Sequence, residues 1–321
     1  MGYDIIGDIH GHADPLKALL RQLGYRDRGG AWRHSQRQAI FVGDFIDRGP
    51  KQVEAVDIVR RMVEAGSAFA IMGNHEFNAI GWFQPDPDQD GEFLRPHFST
   101  KYGEKNVSQH VAFLAEVIGT PRHAEIIDWF RTLPLWLELP GLRVIHACWH
   151  PRYIEYLAPH LTAERRLTNA LMVSASRGPE NEVEKDTLEP TPFKAVDALL
   201  KGIEMPLPPP HTFKDKDGNE RSRARVRWWD SQPVTYRDAA MLPEEHRERL
   251  PCDPIPEHLR LGHDGGKPTF IGHYCLTGRP QLLSDKVACV DYNIARGGRL
   301  VAYRWDGESM LNDVRFHCVG A

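Results

Sequence analysis

Three short runs combine carboxylates, imidazoles, an amide and glycines: Gly7-Asp8-Ile9-His10-Gly11, Gly43-Asp44-Phe45-Ile46-Asp47-Arg48-Gly49 and Gly73-Asn74-His75-Glu76. Oxygen and imidazole donors of this kind suit Mn, Fe or Zn better than the metals that prefer thiolates. Asp8 and His10 stand two residues apart, so on a continuing strand both face one side and chelate one ion. A single carboxylate such as Asp44 can bridge two ions, the arrangement that clamps attacking and leaving oxygens in two-metal hydrolysis. Any one run alone is ordinary turn and cap composition. Three in order, each behind an apolar segment, are not.

Those segments read as buried strands: Tyr3–Gly7, Gln38–Gly43 and Ala68–Gly73 before the three runs, then Leu142–His146, Thr269–Gly272, Val287–Val290 and Leu300–Tyr303. Between the first three lie helical patterns. One begins near Pro15 with Leu16, Leu19, Leu20 and Leu23 on one face; the other covers 52–65 with Val53, Val56, Val59 and Val63 in phase. Strand–helix–strand–helix–strand predicts an α/β chain, with ligands bound beyond the carboxyl ends of the strands. Residues 105–131 read as helical, with Val107, Val111, Leu114 and Ile118 as one apolar stripe. From about 160 to 260 the chain is polar and Pro-rich, carries the charged run Lys214–Arg227, and shows no comparable strand pattern. We read it as an insertion or cap interrupting a single domain that spans 1–321.

With 41% hydrophobic and 26% charged residues over 321, the composition is ordinary for a globular chain, and a net charge of −4 gives no general bias toward nucleic acid or an anionic membrane. The cysteines at 148, 252, 275, 289 and 318 include no C-x-x-C pair, which argues against a disulfide framework and a structural zinc knuckle. No signal peptide or membrane-spanning run is legible, so a cytoplasmic protein is expected. Oligomeric state is not readable from this pattern.

The series GDIHG, GDFIDRG and GNHE, followed by a later His and a Gly-His pair, resembles the PPP-type calcineurin-like metallophosphoesterases, which include serine/threonine protein phosphatases and bacterial diadenosine tetraphosphatases. The resemblance is specific over 7–76, returns at 142–150 and 262–303, and is absent between. It implies a four-layer αββα sandwich of two mixed β-sheets face to face with helices outside.

By the same resemblance Asp8 and His10 hold the first metal, Asp44 bridges, and Asn74 belongs to the second metal with His146 and His273. His150 is the rival to His146. His75 and Asp47 correspond to a pair that does not bind metal, in which the His protonates the leaving oxygen and the Asp orients it; an alkoxide leaves poorly without that proton. Arg48 corresponds to a phosphate clamp, a role its bidentate fork suits. The family's second phosphate-binding arginine falls among Arg221, Arg223, Arg225 and Arg227, with Arg225 and Arg227 carried forward. Asp291 reads as a group that packs against or orients His273, Tyr274 as a rim residue, and His12 and His263 as bystanders; His110 has no motif around it.

The implied cofactor is a pair of divalent ions, with Mn(II) expected and Fe or Zn as alternatives. The implied reaction is hydrolysis of a phosphate monoester, on a phosphoprotein or a small molecule, by a metal-bridging hydroxide. Two other functions are consistent with the same residues: symmetrical hydrolysis of a dinucleoside polyphosphate such as diadenosine tetraphosphate, and a metal-bound binding protein without turnover. The first of these draws on the basic segment before Trp228-Trp229, which could stack a base. Neither a membrane nor a nucleic acid is an expected partner.

Overall fold

A computed structural model describes residues 2–179, 181, 184, 186–214, 218–231 and 235–320. The N-terminal part contains strands β1 (Gly2–Ile6), β2 (Arg26–Arg28), β3 (Ala31–Arg33), β4 (Arg37–Phe41) and β5 (Ala68–Ala70) with helices α1 (Ala13–Gln22), α2 (Gln52–Glu64) and α3 (Asn74–Phe83). Helices α4 (Gly103–Val117) and α5 (Pro121–Phe130) lead to β6 (Trp136–Glu138), β7 (Arg143–Ile145) and α6 (Pro151–Leu157). The segment read as an insertion holds α7 (Asn169–Ser176), α8 (Pro192–Lys201), β8 (Glu204–Pro206), β9 (Phe213–Lys214), β10 (Glu220–Arg221) and β11 (Arg223–Arg225). The C-terminal part supplies β12 (Thr269–Ile271), β13 (Val287–Cys289), β14 (Asp291–Tyr292), β15 (Arg299–Trp305) and β16 (Phe316–Val319).

Two mixed sheets organise these strands. In the six-stranded sheet β1 pairs in parallel with β4 and antiparallel with β15; β5 extends the parallel side, while β14 and β16 pair antiparallel with β15. In the four-stranded sheet β12 lies parallel to both β13 and β7, and β6 returns antiparallel. Side chains alternate between the faces of a strand, and the cores follow that period. Ile5, Ile40, Val42 and Ile71 from the first sheet pack with Val144, Phe270, Ala288 and Val290 from the second, all 1% exposed or less. Their neighbours Ile6, Ala39 and Phe41 turn the other way, onto the apolar faces of α1 and α2. The layered α/β sandwich of two mixed sheets is therefore present.

Ile145, Ile271, Val287 and Cys289, on the outer face of the second sheet, share a core with Leu199, Met205, Val226 and Trp228 from the 160–260 segment. Among the described residues, its strands form two-stranded pairs, β8 with β11 and β9 with β10, apart from the main sheets. Residues 215–217 of the charged run lie outside the described residues. We propose that the chain is one domain in which this segment is a covering layer.

The apolar stripe expected over 105–118 is overturned at three of its four residues, Leu114 alone being buried as expected. Val107, Val111 and Ile118 are 41%, 60% and 62% exposed, whereas Asn106, His110, Phe113, Leu114 and Val117 are buried. The reason is polar partnering: Asn106 Nδ2 donates to the Pro96 carbonyl and His110 Nδ1 reaches a carboxylate, so these groups turn inward, although Nε2 of His110 stays unpaired.

Phe270 sits at the centre of the layer between the sheets, and Phe270→Ala is expected to destabilise the protein by about 3–5 kcal/mol, measured by urea denaturation.

Candidate metal centre

Five strands end at one crevice. Asp8 follows β1, Asp44 follows β4, Asn74 opens α3 after β5, His146 follows β7 and His273 follows β12. The loops that carry them are tied together by main-chain bonds. The amides of Ile9 and His10 donate to the Asp44 carbonyl, Gly11 to Phe45, and Gly49 to His10. Glu76, fully buried, accepts the amides of Gly73 and Asp44 on one oxygen and of Phe45 on the other, so one side chain fastens the Asp44 loop to the start of α3. Its role carried no sequence signal beyond its place in the third run.

The approach is close enough to require glycine. A Cβ on Gly73 would lie 2.2 Å from an Asp44 carboxylate oxygen, and one on Gly272 would lie 2.2 Å from Asp8 Oδ1. Five of the expected site residues adopt left-handed backbone: His10, Asp44, Asp47, Arg48 and His273, with φ of +47°, +53°, +72°, +76° and +68°. Such positions cost about 1–3 kcal/mol each and persist where surrounding contacts over-determine them. They also correct one expectation. β1 ends at Ile6 and the chain turns at His10, so Asp8 and His10 do not lie on one continuing strand.

Asp44 is the shared element. Its carboxylate with His10 and His75 forms one group of ligand atoms within 4.8 Å of one another, and with His146 and His273 it forms a second. His10 Nδ1 donates to the Ile46 carbonyl at 2.9 Å and His146 Nδ1 to the Val42 carbonyl at 2.7 Å. A carbonyl can only accept, so each ring carries its proton on Nδ1 and turns an Nε2 lone pair toward Asp44, 3.8 and 3.4 Å away. Asn74 Oδ1 lies 3.1 Å from His146 Nε2 and 2.7 Å from His273 Nδ1, which joins it to the second group. Asp8 stands outside both groups: Oδ2 accepts the His273 amide at 3.0 Å, while Oδ1 is buried with no partner. An orphaned buried carboxylate oxygen costs free energy unless a cation or a donor meets it. The donor set thus fits two divalent ions that share Asp44.

The electrostatics agree with a site built for positive charge. Burial pushes the Asp8 carboxyl well up, with Asp291 and Asp44 adding like-charge repulsion. Burial also acts to raise Asp44, but the imidazoles of His146, His75 and His10 outweigh it and hold that carboxyl well down. His273 is held well below its usual value by burial and then by the cations of Arg225 and other groups including Lys201. His75 behaves oppositely. Burial alone would lower it, yet Asp44, Asp47 and Glu76 raise it to about 9. Its Nδ1 is 2.5 Å from Asp47 Oδ2, and Nε2 faces Asp44 at 3.8 Å.

Of the remaining expected residues, some come near the crevice and others do not. Arg48 is exposed, and its guanidinium has no carboxylate partner among the described residues. Arg225 comes near His273 and donates from Nε to the Lys201 carbonyl. Arg227 does not join it; it pairs with Asp230 at 3.5 Å and lines another cavity with Arg237 and Arg247. Arg223 pairs with Asp186. His150 caps α6, accepting the Tyr153 amide, and takes no part in either ligand group. Asp291 orients the loop rather than the ring of His273: its two oxygens accept the amides of Cys275 and Asn293. Tyr274 is buried instead of rimming the site, and donates to the Ala147 carbonyl, which also accepts from Trp228 Nε1. Trp228 and Trp229 are 1% and 3% exposed, so neither offers a face for stacking a base.

Two polar groups were not expected from sequence: Lys201, whose charge reaches His273, and His110, whose Nδ1 donates to Asp47 Oδ2 at 2.9 Å. Both stand on helices far from the motifs in sequence, and only packing brings them in.

The chain belongs to the calcineurin-like phosphoesterase family, which its residues 1–175 match. The asymmetrical bis(5'-nucleosyl)-tetraphosphatase of Oceanobacillus iheyensis is 33% identical over 148 residues, 46% of this chain and 55% of that protein. The enzyme of the same name from Bacillus velezensis is 46% identical over 76 residues, 23% of this chain and 30% of that protein. The chain therefore spans about half or less of the length of these curated relatives. Among solved structures, a serine/threonine phosphatase from Saccharomyces cerevisiae aligns at 13% identity and a TM-score of 0.46, covering 100% of this chain and 79% of that one. A cold-active protein-tyrosine phosphatase from Shewanella aligns at 18% and 0.46, covering 97% and 80%. The relatives' names specify asymmetrical cleavage, so the symmetrical hydrolase considered from sequence finds no support in them.

His75 also makes the metal-free protein pH-sensitive. Its folded value of about 9 exceeds its ordinary 6.5, so the stabilisation is complete below pH 6.5 and lost as pH rises through about 9. Chelator-treated protein is expected to lose on the order of 1–3 kcal/mol between pH 6 and 9.5 by urea denaturation, and His75→Ala to flatten that decline.

Proposed function

We propose that the chain hydrolyses phosphate monoesters, carried by a protein or a small molecule, by direct attack of water on phosphorus. One observation carries this reading: the carboxylate shared by two ligand groups, Asp44, also faces a buried imidazole that is clamped to its own carboxylate, His75 on Asp47. The residues that would hold two divalent ions are Asp8, His10 and Asp44 on one side and Asp44, Asn74, His146 and His273 on the other, and Mn(II) is the ion we expect, with Fe or Zn suited to the same donors. When bound, such a pair lowers the pKa of water and neutralises phosphoryl oxygens.

The chain's own groups supply the rest. His75 Nδ1 is committed to Asp47, so any proton it passes to a departing oxygen leaves from Nε2, the nitrogen that faces Asp44. Arg48 is exposed and offers a guanidinium fork for the phosphoryl oxygens. Arg225, rather than Arg227, is the second clamp we favour, because its charge is felt at His273. Cys148 and Cys289 are buried with their thiols pushed well up, which removes them as nucleophiles and fits a route without a phosphoenzyme.

A second reading has its own observation. Lys201 and Arg225, which also face Asp197 and Glu204, both act electrostatically on His273, where a longer phosphate chain would meet them, and the curated relatives are named as asymmetrical tetraphosphatases. Cleavage of a dinucleoside tetraphosphate into a nucleoside triphosphate and a monophosphate is that alternative. Purified protein with Mn(II), assayed on phosphopeptides, phenyl phosphate, p-nitrophenyl phosphate and diadenosine tetraphosphate, separates the two. A preference for the anhydride by orders of magnitude, with ATP and AMP as products, would replace the first reading with the second.

Chelation is expected to abolish turnover and Mn(II) to restore it, and Asp44→Asn to abolish turnover and weaken metal binding in titration calorimetry; full activity with two ions bound would refute the bridging role. His75→Ala is expected to keep the metals but lose about 10²–10⁴-fold in kcat on phenyl phosphate and much less on p-nitrophenyl phosphate, whose phenolate leaves without a proton.

A further inference from the structure

Asp47 is fully buried, and its two carboxylate oxygens have unequal surroundings. Oδ1 is buried without a partner, whereas Oδ2 lies 2.5 Å from His75 Nδ1 and 2.9 Å from His110 Nδ1. A carboxylate only accepts, so both imidazoles carry Nδ1 protons and converge on one oxygen. Two donors from different elements, α3 and α4, then fix the carboxyl plane where one donor would leave it free to rotate about χ2. The main chain of Asp47 is pinned as well: its amide donates to Gln52 Oε1 at 2.6 Å and its φ of +72° is left-handed.

Among the described residues, this is the one polar contact that the His110 side chain makes. Its residue is 0% exposed and its Nε2 is buried with no partner. The ring packs edge-on against Trp82, with centroids 6.1 Å apart, and against His75 at 6.4 Å. The arrangement sacrifices one unsatisfied imidazole nitrogen in the core, a feature that packing alone would not retain.

We propose that His110 is a positioning residue for proton donation: by holding Asp47 Oδ2 from α4, it fixes the carboxylate that orients His75, so that Nε2 of His75 stays aimed at the departing oxygen. This deepens the phosphoesterase reading above and rests on it. His110 touches neither substrate nor ion; it acts through Asp47 alone.

The test compares variants that differ in where they present an N–H. Asn places its amide near the Nδ1 position and Gln near Nε2, while Phe keeps the ring and removes both. With Mn(II), His110→Phe and His110→Gln are expected to lose roughly tenfold to a hundredfold in kcat on phenyl phosphate, less than removing His75 itself costs. They should lose little on p-nitrophenyl phosphate, with KM and bound metal unchanged, and His110→Asn should restore most of the rate. In a His75→Ala background, His110→Phe should add nothing, because the group it positions is gone. Equal losses on both esters, an additive loss in the double variant, or no loss at all would overturn the proposal. Should His110→Phe not fold, the contrast between His110→Gln and His110→Asn decides the same question. Wild-type protein that hydrolyses neither ester would defeat the phosphoesterase reading and this inference with it, whereas wild-type turnover indifferent to position 110 would defeat only the inference.

Discussion

The burial of the Asp44 carboxylate governs much of this molecule. A charge held out of water is expensive unless it meets opposite charge and hydrogen-bond donors. Asp44 meets the imidazoles of His146, His75 and His10, accepts the His75 amide at the first turn of α3, and has its own amide tied to Glu76. Those partners come from three separate places, the turn after β1, the first turn of α3 and the end of β7, so the carboxylate is satisfied when these and β4 arrive together. The helix N-terminus adds a favourable dipole for the anion. Two divalent ions would complete that neutralisation for both Asp44 and the stranded oxygen of Asp8.

The backbone around this charge is correspondingly strained. Left-handed φ at Asp44, Asp47, Arg48, His10 and His273 would be unfavourable in isolated peptides, and Asp and His bear it better than most residues. The strain is held by the main-chain bonds between the loops and by two sandwiched sheets whose shared core is dry. Rigid strands thereby position loops that could not hold these conformations alone.

The segment between 160 and 260 serves the site indirectly. Trp228 and Tyr274 both donate to the carbonyl of Ala147, and the Leu199 carbonyl accepts the Ala147 amide, so the loop bearing His146 is clasped on both sides by residues of the covering layer and of the His273 loop. The same packing carries Lys201 and Arg225 to the edge of the crevice beside His273.

How much was legible follows from the range of each interaction. The chemistry of Asp8, His10, Asp44, Asn74 and His75 could be read locally, because strand-end glycines and chelating residues sit within a few positions of each other, and the apolar runs behind them mark the strands. His146 and His273, which the fold gathers beside Asp44, could be picked out as candidates because each also abuts an apolar run. Asp8 and His10 were misread as one face of a strand, since a turn with positive φ leaves no mark on a period-2 pattern. On α4 the apolar stripe pointed to the wrong face, because hydrophobic spacing cannot register that Asn106 and His110 have buried partners waiting from distant loops. The same reason hid Lys201, the clasping role of Tyr274 and the choice between Arg225 and Arg227. Residue types and short spacings determined which chemistry this chain carries; which polar side chains enter the core, and therefore which of them serve that chemistry, was decided only when packing paired groups tens of residues apart.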